Sequence, residues 1–262
     1  MYTLRYIKNT LLALALLVSA QSSAQVVDSL VGMVNGELIK IHQQDAGINS
    51  YITISGFPTT YNPFRLTWCE PSNCYYGLSR PVTGDYTTYL FRISASGVYE
   101  DIGEITVPGE TVFMCEGLGF NRFDGDLYAS ASFNGGPSSS PADYWSEVLI
   151  RLDTVTTEGE YVGTFSHASI YEPEADKIAF DDAGMLYYED GQPGAGGFER
   201  IFEQVADFSS SSDLIYESTS GYYPTSDLTV ENDTLYFSSD RNLRQIDLTT
   251  DTYSVIGDMF TA

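Results

Sequence analysis

Basic residues are scarce in this sequence: 12 Lys and Arg stand against 36 Asp and Glu, a formal charge of -24. A surface of that sign repels phosphate backbones and anionic headgroups, so nucleic acid and acidic membrane surfaces are excluded as partners. There are only three cysteines and two histidines. None cluster at zinc-ligand spacing, which excludes a structural zinc site. Indole is confined to Trp68 and Trp145. Beyond Ala20 no apolar run is long enough to cross a bilayer, so no membrane insertion is expected of the mature chain.

What the chain has begins with its leader. Arg5 and Lys8 precede an apolar run from Leu11 to Ala20, followed by small residues. This reads as a secretory signal peptide over residues 1–24, with cleavage after Ala24 and Ala20 as the second choice. No Cys precedes Cys69 to accept a lipid anchor. The expected mature domain is 25–262, secreted or periplasmic. It loses two cations and no acids, taking the charge from -24 to -26.

The mature region is repetitive. Leu228-Thr-Val230, Leu235-Tyr236-Phe237, Leu243 to Asp247 and Tyr253 to Gly257 are four short alternating segments separated by turn residues. That is one antiparallel four-stranded unit. Units of the same kind contain Leu66–Trp68, Leu118–Phe120 and Ile178–Phe180 as inner strands. A first unit runs through Leu30–Val34, an Asn35-Gly36 hairpin turn and Glu37–Ile41. No innermost strand is legible before Leu30, which predicts three strands there. The third-strand anchors Ile41, Ile93, Leu152, Ile201 and Ile246 are 52, 59, 49 and 45 residues apart. Periods of this size, with four strands each, predict an all-β propeller of five blades in one domain.

Cys69 and Cys74 flank the first turn of the second unit. Cysteines on either side of a four-residue hairpin loop can face each other at cross-strand spacing, so an exported chain is expected to join them as a disulfide. Cys115 is then left as a buried thiol.

The pattern Leu235-Tyr236 … Leu243-x-x-Ile246-Asp247-Leu248 … Ile256-Gly257 resembles the repeats of secreted bacterial β-propellers of the PQQ-like and NHL-like kind. The resemblance implies architecture over nearly the whole mature chain. It implies no catalytic residue, because binders, scaffolds and enzymes share such repeats.

Candidate functional residues therefore come from placement. Blade connectors and second-to-third-strand loops meet on one propeller face, and these segments are rich in aromatics. Tyr61, Phe64, Arg65, Tyr144, Trp145, Tyr171, Tyr222 and Tyr223 are the expected ligand-binding set, suited to a carbohydrate or a protein partner. An alternative is a carbohydrate lyase or hydrolase using His167, Tyr171 and Arg65 for proton transfer and charge stabilisation. Glu116, Asp176 and Asp227 precede three inner strands. A solvated acidic rim is the expected reading there, and a calcium site the alternative. No cofactor is expected. Lys40, Arg92, Arg151, Arg200 and Gln245 share one repeat position, which predicts cross-strand ion pairs rather than a basic patch.

Overall fold

The computed structural model describes residues 29–34, 37–84, 86–134, 145–165, 175–191, 199–218, 225–239 and 242–259. They form five antiparallel meanders arranged as a five-bladed β-propeller, and no helix occurs among them. Blade 1 has three strands, β1 (Ser29–Val34), β2 (Glu37–His42) and β3 (Ile48–Thr53). Blade 2 has β4 (Tyr61–Cys69), β5 (Cys74–Pro81), β6 (Tyr89–Ser94) and β7 (Tyr99–Glu104). Blade 3 has β8 (Val112–Asn121), β9 (Asp126–Asn134), β10 (Trp145–Leu152) and β11 (Gly159–Thr164). Blade 4 has β12 (Ala175–Phe180), β13 (Met185–Gly191), β14 (Glu199–Val205) and β15 (Asp213–Glu217). Blade 5 has β16 (Thr225–Glu231), β17 (Thr234–Ser239), β18 (Asn242–Asp247) and β19 (Thr252–Asp258).

Alternation explains why sheets form, and burial on both faces explains why they stack. Leu78, Leu90, Leu118, Ala129 and Ile150 fill the space between blades 2 and 3. Leu149, Ile178, Leu186 and Tyr188 fill that between blades 3 and 4. Ile201, Leu228, Leu235 and Phe237 do so between blades 4 and 5. Each large apolar side chain removed from water contributes about 1.5–3 kcal/mol, so the interfaces between sheets form the core. Gly117 shows how tightly these layers approach, since a Cβ there would lie 3.0 Å from the backbone nitrogen of Ile178 in the next blade.

Blade 1 is joined to blade 2 by apolar packing of Leu38 and Ile54 with Phe91 and Ile93. Phe57 adds ring contacts to Phe91 and Tyr99 at 5.7 and 4.8 Å. On its other side Gly257 of β19 lies against the Asp45 carbonyl and Ala46. Among the described residues blade 1 has no strand inside β1, and β4 meets β16 directly.

The inner strands start at Tyr61, Val112, Ala175 and Thr225, several residues before the apolar segments that mark them in the sequence. Tyr61, Phe64 and Arg65 thus belong to β4 rather than to a connector. The physical reason is a break in the pleat described below. The cysteine pairing is also corrected. Cys69 and Cys74 face each other in register, yet both are free thiols, and Cys74 Sγ lies 3.2 Å from the Ser72 hydroxyl. Opposed positions give proximity, whereas a bond also needs the two sulfurs turned toward each other.

Candidate ligand face at the channel mouth

Every complete blade carries a β-bulge near the start of its inner strand. Pairing of β4 with β5 skips Phe64. Pairing of β8 with β9 breaks between Cys115 and Leu118, around Glu116 and Gly117. In β12 the skipped residue is Asp176, and in β16 the break passes Ser226 and Asp227. An extra residue bends the strand and re-aims its side chain out of the two-residue period. The bulges therefore place Phe64, Glu116 and Asp176 at one repeat position, and Asp227 one residue further along, at the same end of the channel.

Arginines tie this mouth together. Arg65 reaches from blade 2 to blade 4, where Nε and Nη2 donate to the Asp176 carbonyl at 3.2 and 2.9 Å, and Nη1 donates to the Phe64 carbonyl at 2.7 Å. Arg80 stacks on the Phe64 ring at 4.3 Å, donates to the Cys115 carbonyl at 3.1 Å and lies 3.6 Å from Glu116. Lys177 is buried between Glu189 and Asp176. Buried charges persist only when paired, and these pairs fix the floor of the mouth.

Asp227 is the perturbed acid of the site. Desolvation holds its carboxyl up at about 6, against the opposing pull of Arg65, the Leu228 and Leu66 backbone N–H groups and Lys177. The Leu228 N–H donates to its Oδ1 at 3.0 Å. Burial pushes the Cys115 thiol far above the usual thiol range, which makes it inert as a nucleophile. Around the rim, Tyr61 meets Tyr89 at 5.1 Å and Tyr86 meets Phe113 at 4.7 Å. Tyr86 is 52% exposed.

Of the expected binding set, the structure brings together Tyr61, Phe64 and Arg65. Tyr144, Tyr171, Tyr222 and Tyr223 lie outside the described residues, as does His167. Trp145 begins β10, in the strand rather than the loop before it, and its side chain is outside the description. The three acids expected at the rim share the mouth as bulge residues, but Asp176 is occupied with Lys177 and Glu116 with Arg80. Among the described residues no group of three or more His, Cys, Asp and Glu is placed to hold a metal ion. Sequence reasoning missed Arg80 and Lys177. Lys177 carried a signal, a charged residue directly before the apolar run Ile178–Phe180.

The repeated basic position is structural. Arg92 donates twice to Glu100, at 2.9 and 2.8 Å, Arg151 pairs with Glu160, and Arg200 pairs with Glu217 at 3.2 Å. At the opposite end of the channel, Arg122 bridges Asp182 of blade 4 at 3.3 Å and Glu231 of blade 5 at 3.0 Å. A cavity of about 50 Å³ beside it, lined by Thr67, Phe120, Phe180 and Leu228, leaves room only for water. First-turn acids serve their turns: Asp181 Oδ1 accepts the Ala183 and Met185 N–H groups, and Asp124 Oδ2 accepts the Tyr128 hydroxyl at 2.7 Å.

No protein-family model matches the chain, and no curated protein matches it in sequence. Solved structures do resemble it. One is an exo-β-1,3-galactanase from Phanerochaete chrysosporium with galactose, at 11% identity and a TM-score of 0.53 over 87% of this chain and 66% of that one. Another is a candidate TolB from Agrobacterium tumefaciens, at 15% identity and a TM-score of 0.51 over 87% and 76%. A PQQ-bound aldose sugar dehydrogenase from Streptomyces coelicolor aligns at 10% identity and a TM-score of 0.49 over 87% and 77%. At such identities the first two likenesses establish a β-propeller fold and nothing finer.

Proposed function

We propose that this is an exported, non-catalytic binding propeller that takes a carbohydrate at the channel mouth. The carrying observation is the bulge repeated in four blades, which gathers one aromatic and three acids at the same end of the inner strands. Rings such as Tyr86, Phe113, Tyr61 and Phe64 offer apolar faces to a sugar, and carboxylates accept its hydroxyls. The cations beneath them are engaged with internal acceptors and act as a rigid floor, which suits recognition. The galactose-bound propeller named above supports a sugar over a protein surface as the ligand. A glycan array with the mature protein, followed by calorimetry on any hit, tests the reading. Phe64→Ala and Tyr86→Ala are each expected to weaken binding about tenfold, roughly 1.4 kcal/mol, with an unchanged β-sheet spectrum. Normal binding by both variants, with loss on changing the Asp124 and Asp181 turns, would move the functional face to the opposite end.

One feature favours a hydrolytic reading: desolvation raises the Asp227 carboxyl to about 6, toward the range suited to a general acid. Turnover of a bound glycan by the wild type and its loss in Asp227→Asn, with binding retained, decides for the enzyme.

A further inference from the structure

The first turn of blade 2 carries a pair of thiols. Cys69 ends β4, Cys74 begins β5, and the two are directly opposed across the ladder. Directly opposed residues of an antiparallel pair project from the same face of the sheet, with Cβ atoms about 4.5–5.5 Å apart. Both side chains accordingly enter the apolar layer between blades 2 and 3, where Cys69 is 7% and Cys74 5% exposed. Both are free thiols. The Ser72 hydroxyl, from the turn itself, lies 3.2 Å from Cys74 Sγ and 3.3 Å from the Cys69 carbonyl oxygen. An open cleft of about 250 Å³ leads here, lined by Cys69, Pro71, Ser72, Tyr76, Leu127 and Thr154. It lies among the first- and third-turn loops, at the end of the ring away from the mouth.

We propose that Cys69 and Cys74 are the two ligands of a thiophilic monovalent cation, copper(I) or silver(I). A disulfide needs its sulfurs about 2.05 Å apart. An ion bound to both at about 2.3 Å, a metal–thiolate distance, holds them up to about 4.6 Å apart, close to the spacing that opposed strands already set. The donor set selects the ion. Thiolate sulfur favours soft metals. Zinc takes four donors, and among the described residues no group of three or more His, Cys, Asp and Glu is gathered. Copper(I) and silver(I) bind with two sulfurs in line. As each sulfur–metal bond forms, that thiol gives its proton to solvent. One monovalent cation thus replaces two protons, no oxidation state changes, and the pair gains one negative charge. The Ser72 hydroxyl can turn from the Cys69 carbonyl to Cys74 Sγ and donate to that charge. Cys115 is not part of the pair, since it lies within β8 opposite Ala131. The inference concerns the end of the ring away from the mouth and holds whether or not the mouth binds a sugar.

Titration with silver(I) or copper(I), read by native mass spectrometry on the protein isolated without added reductant, tests the site. The wild type is expected to keep one ion per chain with the loss of two protons. Ser72→Ala should weaken binding about tenfold, and Cys69→Ser and Cys74→Ser each by more than the roughly 100-fold that bounds outer-sphere changes. Cys115→Ala is expected to bind as the wild type does. Failure of the wild type to retain an ion, or equal retention by Cys69→Ser and Cys74→Ser, would overturn the proposal. So would a deficit of two hydrogens that maps to a Cys69–Cys74 disulfide, because bonded sulfurs have no thiolates to offer. X-ray absorption of the copper(I)-loaded, unaltered protein is independent of how the variants fold. Two sulfur neighbours at about 2.3 Å support the site, and nitrogen or oxygen neighbours in their place sink it.

Discussion

At the scale of single residues, two arginines fasten opposite ends of the channel by different chemistry. Arg65 donates to backbone carbonyls, which a truncation would leave without those donors. Arg122 pairs with carboxylates of unequal exposure, Asp182 at 73% and Glu231 at 29%. Water screens the first pair more than the second. A double-mutant cycle of Arg122→Ala with Glu231→Ala is therefore expected to give a coupling of about 0.5–1 kcal/mol. The cycle with Asp182→Ala should come close to zero. Equal couplings in urea melts would show that burial does not rank the two pairs.

At the scale of elements, β8 and β12 approach closely where a glycine lies between them. Gly117 sits in the β8 bulge, where its N–H donates to Ser130 Oγ at 2.7 Å while β12 passes close by. Its substitution by Ala places a methyl 2.8 Å from that oxygen and 3.0 Å from the Ile178 nitrogen, neither at the end of a flexible chain. The blades must separate to admit it, which is expected to cost about 1–3 kcal/mol. Denaturant unfolding of Gly117→Ala measures this, and a change below about 0.5 kcal/mol would mean that the interface yields. The bulges also explain a misreading of the sequence. Alternation is legible only after the bulge, as in Leu118-Gly-Phe120, so the strand halves carrying Phe64 and Phe113 look like connectors.

At the scale of the whole molecule, charge opposes compactness. A formal charge of -24 repels itself throughout the ring, while the described ion pairs on the blade surfaces are few and mostly exposed. Screening should relieve the repulsion more than it weakens the pairs. Raising monovalent salt from about 0.01 to about 0.15 M shortens the screening length from about 30 to about 8 Å. The melting temperature is expected to rise by roughly 2–4 °C, the shift that about 1 kcal/mol makes at this size. A fall on adding salt would show that the surface pairs outweigh the repulsion.

The sequence by itself determined the repeat, the number of blades and the three strands of the first, because those follow from local alternation and turn residues such as Asp124-Gly125 and Asn232-Asp233. It also placed the acids Glu116, Asp176 and Asp227 at one end of the inner strands, since position within a repeat is position around a ring. Only the tertiary structure decided what those residues do. Arg65 meets the carbonyl of a residue 111 positions away, and Arg80 of blade 2 closes on the Cys115 carbonyl of blade 3. Such contacts join different blades. They depend on how sheets pack around an axis and on bulges that break the two-residue period, and neither is written in the spacing of apolar residues along one strand.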